Sequence, residues 1–127
     1  MNVRSNRPRV IAEAAPGFFG APKIRVPDEM MQWWDRMLTD QCPMKTFVEL
    51  HRIFTETDFR PDLAKITVPT LLIHGDADTS SKLEMTSRRT ALLIRGSELK
   101  IYEGAAHGLP FTHMDRLNAD LLAFIKT

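Results

Sequence analysis

Apolar residues recur at helical spacing twice in the first half of the chain, then give way to short continuous runs. In "EMMQWWDRMLTD", Met30, Trp33, Trp34, Met37 and Leu38 fall on one side of a helix, with Asp28 placed to cap its start. "PMKTFVELHRIFTET" repeats the pattern with Phe47, Val48, Leu50, Ile53 and Phe54, and Pro43 stands in its first turn. "DFRPDLAKITVP" reads as a short helical turn stopped by proline. From residue 70 the pattern changes. "TLLIH" is a buried strand, followed by a loop, a helix from about Leu83 to Ile94 ended by Gly96, and a second strand "LKIY". The last helix, "HMDRLNADLLAFIK", carries Leu117, Leu121, Leu122 and Ile125 as its inward stripe, with Thr112 and Asp115 spaced as a capping box. A β-α-β-α order with short connections implies parallel strands joined by a right-handed crossover, and so an α/β class. Residues 1–27 are proline-rich and show no sustained period, so they are expected to be irregular. Within them, "APGFFGAPKIRVPD" is long for a loop in a compact domain, and Phe18 and Phe19 need a surface to pack on.

Composition narrows the functional classes. With 127 residues, 43% of them hydrophobic, the chain suits one globular domain. Seventeen basic and sixteen acidic residues are interspersed, so no basic face points to nucleic acid. No apolar stretch approaches the roughly 20 residues of a membrane span, and the start of the chain lacks a secretory pattern. A single cysteine, Cys42, forms no internal disulfide and fits a reducing, cytoplasmic setting, where it is expected to be inert.

The candidate chemistry sits where the two strands end. "TLLIHGDAD" stops at Gly75, Asp76 and Asp78, and "YEGAAHGL" stops at His107. In open α/β sheets, function gathers at the carboxyl ends of strands. A carboxylate there orients an imidazole and stabilises its cation, while the imidazole moves a proton for a nucleophile. The same residues also fit a plain turn and a polar loop, because Asp and Gly are turn formers, and spacing alone leaves both readings open. His74 is expected to be packed or hydrogen-bonded. His51 and His113 receive no role. Alternation would put His74, Asp76 and Asp78 on one side of an extended segment, but the turn at Gly75 scatters them, so no metal is expected.

The stretches "FTETDFRPDLAKITVPTLLIHGDAD" and "GSELKIYEGAAHGLPFTHMDRLNADLLAFIK" closely resemble the C-terminal half of the cofactor-free (non-haem) bacterial haloperoxidases and aryl esterases of the α/β-hydrolase fold. The resemblance runs from about Pro16 to the end. It implies that the second Asp of the "GDAD" turn, Asp78, is the triad acid and that His107 of "HG" is the triad base, with Asp76 forming the turn. It also implies that residues 28–60 are cap-like helices over a pocket. Trp33 and Trp34 either face that pocket and contact substrate or, as aromatics at helical spacing usually do, belong to an ordinary core. Residues 61–127 would be the C-terminal β-α-β-α part. No cofactor is implied.

The departures from that pattern shape the expectation. Such enzymes carry their nucleophile on a G-x-S-x-G turn. This sequence contains none, and its serines, Ser5, Ser80, Ser81, Ser87 and Ser97, lie elsewhere. After the acid it has Thr79-Ser80-Ser81 where such enzymes usually carry an apolar stretch. The expected architecture is a partial α/β-hydrolase fold with two parallel strands, completed by a homo-oligomer or by a complementary N-terminal half. Ester hydrolysis or perhydrolysis of a small ester or carboxylic acid would then require a Ser-bearing half, and the isolated chain would be inactive. The alternative is a non-catalytic remnant acting as a self-associating or binding module. A third reading, with Ser80 or Ser81 as a repurposed nucleophile, lacks a strained turn to support it.

Overall fold

The computed structural model describes residues 6–126, which divide into two compact units. One is helical and comprises residues 6–16 with Val26–Phe59; the other comprises Gly17–Arg25 with Arg60 onward. The boundary near residue 60 thus separates the two amphipathic helices from the strand-containing part.

The helical unit holds most of α1 (Arg7–Phe19), then α2 (Asp28–Asp40) and α3 (Met44–Glu56). The helix α1 occupies a stretch expected to be irregular. Its signal is a sparse stripe, Ile11, Ala15 and Phe19, recurring every four residues and buried. Pro16 interrupts the pattern by removing one backbone donor, while Asn6 caps the start by accepting the Arg9 N–H at 3.3 Å. The Arg7 guanidinium donates to the carbonyls of Thr39 and Cys42, at and just beyond the end of α2, where a helix leaves acceptors unsatisfied. It also lies 5.9 Å from the centroid of the Phe47 ring on α3.

Helix α2 begins one residue earlier than a cap at Asp28 would allow: Pro27 is the N-cap, and Asp28 and Glu29 lie in the first turn beside the positive end of the helix dipole. Pro43 likewise caps α3. Trp34 is buried, whereas no residue of α3 is, and Phe54 is exposed.

In the second unit, the short helix α4 (Arg60–Leu63) leads to β1 (Leu71–Gly75), a 3-10 turn over Leu83–Met85, α5 (Ser87–Leu93), β2 (Glu98–Tyr102), α6 (Leu109–Thr112) and α7 (Met114–Ile125). β1 and β2 pair in parallel, Leu71 opposite Glu98 and Gly75 opposite Tyr102, with α5 in the crossover that a parallel pair requires. The single helix expected from Leu83 to Ile94 is broken at Thr86, whose φ −121°, ψ −95° lies outside the helical region.

The core gathers at the carboxyl end of β2: Tyr102, Ala105 and Leu109 are buried, with Ile73 and Leu117 packed against them. Asp120 pins α7 to β2 by accepting from the Tyr102 hydroxyl at 2.6 Å and the Lys100 ammonium at 2.8 Å, while the Arg116 guanidinium stacks 3.8 Å over the Tyr102 ring. The last helix departs from expectation twice. His113 interrupts it and serves as the N-cap of α7, so Thr112 bonds the Gly108 carbonyl and the His113 ring instead of forming a capping box with Asp115. Of its apolar stripe only Leu117 is packed; Leu121, Leu122 and Ile125 are exposed, because among the described residues the sheet is only two strands wide. No described helix is long and apolar enough to cross a membrane.

Candidate active site

Parallel register brings the ends of β1 and β2 level, and backbone bonds then stitch the two following loops together. The N–H of Asp76 donates to Tyr102 O at 3.2 Å and that of Ala77 to Ala105 O at 3.0 Å. In return, the Gly104 N–H donates to Asp76 Oδ1 at 2.7 Å. Asp76 is thus the acid that joins the turn to the opposite loop. The loops approach so closely that a Cβ at Gly75 would sit 2.1 Å from the Ala105 carbonyl oxygen, and Gly104 turns the chain at φ +72°.

This stitching sets Asp78 against His107, with His107 Nδ1 2.7 Å from Asp78 Oδ2. Asp78 is buried, and its other oxygen accepts the N–H groups of Ser80 and Ser81 at 2.8 Å each. These are backbone donors, so the polar run Thr79-Ser80-Ser81 supports the acid regardless of its side chains. Burial pushes the Asp78 pKa up, but the Ser81 N–H, the bond and charge of His107 and the Ser80 N–H outweigh it. The net effect holds the carboxyl below its ordinary range. A carboxylate accepting at Oδ2 fixes the proton of a neutral His107 ring on Nδ1 and leaves Nε2 as an acceptor. No described residue bonds Nε2. His107 is about two-fifths exposed and lines a depression of about 240 Å³ whose apolar wall is Ile73, Leu109, Pro110 and Leu117.

The aromatic pair near the start of the chain finds its surface here. The Phe18 ring lies edge-on to His107 with centroids 5.3 Å apart, and Phe19, fully buried, packs edge-on to Phe111. The Phe18 carbonyl accepts the Gly108 N–H at 2.7 Å, and a Cβ at Gly108 would strike the Phe18 ring. The segment Gly17–Arg25 is therefore part of the support of the His loop. Only the pairing of two aromatics in a proline-rich stretch hinted at this.

His74 is buried and hydrogen-bonded through both ring nitrogens. His51 and His113 make local contacts with Phe47 O and Thr112. Trp33 and Trp34 lie in the other unit, Trp33 46% exposed and Trp34 buried, as adjacent positions about 100° apart on a helix often are. No group of three or more metal-ligating side chains gathers among the described residues.

Comparison with known proteins gives this geometry a context. A profile of the family described as serine aminopeptidase, S33 matches residues 28–113. A non-heme haloperoxidase of Rhodococcus erythropolis is 34% identical over 98% of this chain and 46% of its own length. A bifunctional esterase/perhydrolase of Acinetobacter calcoaceticus is 33% identical over 86% of this chain and 39% of its own. The crystal structure of a bromoperoxidase from Bacillus anthracis superposes with a TM-score of 0.89 at 33% identity, again covering 98% of this chain and 46% of that one. The chain spans less than half the length of these relatives.

Proposed function

The chain belongs to the serine aminopeptidase S33 family, within the α/β-hydrolase fold, and from that premise we propose that Asp78 and His107 are the acid and base of an acyl-transfer site. The observation that carries the reading is the 2.7 Å contact between a buried, doubly supported carboxylate and an imidazole whose second nitrogen is free to act. A serine hydroxyl brought to Nε2 gives its proton to His107 as its oxygen bonds to an ester carbonyl. The imidazolium, stabilised by Asp78, then protonates the departing alcohol, and water repeats the sequence to release the acid. The relatives' names point to ester hydrolysis and to perhydrolysis, in which hydrogen peroxide replaces water. This route calls on no cofactor, and a single cysteine supports a reducing compartment such as the cytoplasm.

The sequence holds no G-x-S-x-G turn, so in this reading the serine and its oxyanion donors come from residues outside this sequence. The test is p-nitrophenyl acetate hydrolysis and fluorophosphonate labelling, with the chain alone and co-expressed with a Ser-bearing segment cut from a haloperoxidase relative. The chain alone is expected to give no adduct. The pair is expected to be labelled on the supplied serine and to lose about 10⁶-fold in rate in His107→Ala, the scale of removing a triad histidine. Turnover indifferent to His107→Ala would overturn the reading.

A second reading, a self-associating or binding module without catalysis, is favoured by the exposed Leu121, Leu122 and Ile125 of α7 and by strand edges that carry no ladder among the described residues.

A further inference from the structure

The penultimate residue of β1 carries a second imidazole that the acyl-transfer scheme leaves unused. His74 Nε2 lies 2.8 Å from the Ser81 carbonyl oxygen, and Nδ1 lies 2.8 Å from Ser87 Oγ. A carbonyl oxygen only accepts, so Nε2 carries a hydrogen; with the ring neutral, Nδ1 accepts from the Ser87 hydroxyl. The same Nε2 stands 3.5 Å from Asp78 Oδ2. Ser81 is the joint of this arrangement. Its carbonyl is held by His74, while its N–H and that of Ser80 both donate to Asp78 Oδ1. Ser87, the first residue of α5, fixes the rotation of the His74 ring from the other side.

We infer that His74 is a positioning residue for the acid: by gripping the Ser81 carbonyl it holds the two backbone N–H groups that aim the Asp78 carboxylate at His107. The inference rests on the reading of Asp78 and His107 as acid and base. It differs from a packing role in what it demands of a replacement. Space filling is served by a phenylalanine ring of nearly the same footprint. Holding the Ser81 carbonyl needs an N–H at the reach of Nε2, which a glutamine amide supplies.

The experiment follows the His107 ring N–H by proton NMR, since a proton held against a carboxylate moves downfield and is shielded from exchange. In His74→Phe this proton is expected to exchange roughly tenfold faster, the scale of one lost buried hydrogen bond. His74→Gln is expected to keep the wild-type rate, and Ser87→Ala to fall between. Thermal melts on the same samples establish that each variant is folded. Should His74→Phe fail to fold, Ser87→Ala decides: faster exchange supports the inference and a wild-type rate overturns it. Wild-type exchange in a folded His74→Phe, or a glutamine no better than phenylalanine, also overturns it. A wild-type His107 whose long-range proton–nitrogen spectra show no hydrogen on Nδ1 would instead remove the acid–base pair itself, so the two failures are distinguishable.

Discussion

Three donors converge on the buried Asp78 carboxylate, from Ser80, Ser81 and His107. Asp78→Ala leaves them without an acceptor and is expected to destabilise the fold by about 2–4 kcal/mol, measurable by urea unfolding. The pH dependence has a defined sign. The native carboxyl lies below its ordinary 3.8, so the unfolded chain binds the proton more readily. Asp78 therefore contributes stability that is present above that value and lost as pH falls through the native pKa, and Asp78→Asn should flatten the acid limb. Tyr102 acts at the other end of the scale. Burial first, then its bond to Asp120 and that residue's charge, push the phenol from 10.0 up to about 12 against the opposing charge of Arg116. The native state holds this proton longer than the unfolded one, so stability falls as pH rises from about 10 to about 12. Tyr102→Phe is expected to cost about 1 kcal/mol at neutral pH and to flatten that limb in the same unfolding assay. The apolar runs that end near Asp76, Asp78 and His107 marked the region in the sequence. The family resemblance alone singled out Asp78 from Asp76, and the paired loops bring Asp78 and His107 together. The duties of His74 and Phe18 were not, since both depend on contacts that only the folded loops create.

Gly75 shows how tightly one element must approach another for the site to exist. A methyl group there meets Ala105 backbone, which cannot swing aside as a side chain would. Gly75→Ala is expected to cost about 3 kcal/mol or more and to lower the thermal midpoint, because relief requires parting the acid turn from the His loop. At this scale the strands and the two amphipathic helices were readable from periodicity. The helix α1 was hidden because its buried stripe is one residue in four and is interrupted by Pro16. The break at Thr86 and the cap at His113 had no such pattern behind them. The outward turn of Leu121, Leu122 and Ile125 escaped prediction because an apolar stripe reports what a helix prefers to face, while the width of the sheet decides what it meets.

For the molecule as a whole, the exposed stripe of α7 makes association measurable. Sedimentation velocity at micromolar concentration is expected to show dimers or larger species. Leu122→Lys with Ile125→Lys, at positions 56% and 76% exposed, should shift the chain to monomer while changing the stability of the unit by no more than about 0.5 kcal/mol each. A wild-type chain that sediments as a monomer would remove the self-associating reading. Among the described residues, the hydrogen bonds that set Asp78 against His107 close inside residues 17–25 and 60–126, and none of them calls on residues 26–59. The two parts of the chain therefore differ in how freely they can drift. Substitutions across residues 26–59 leave those bonds untouched, while the turn and loops that set Asp78 against His107 leave little room for change, like a mechanism kept in its own casing.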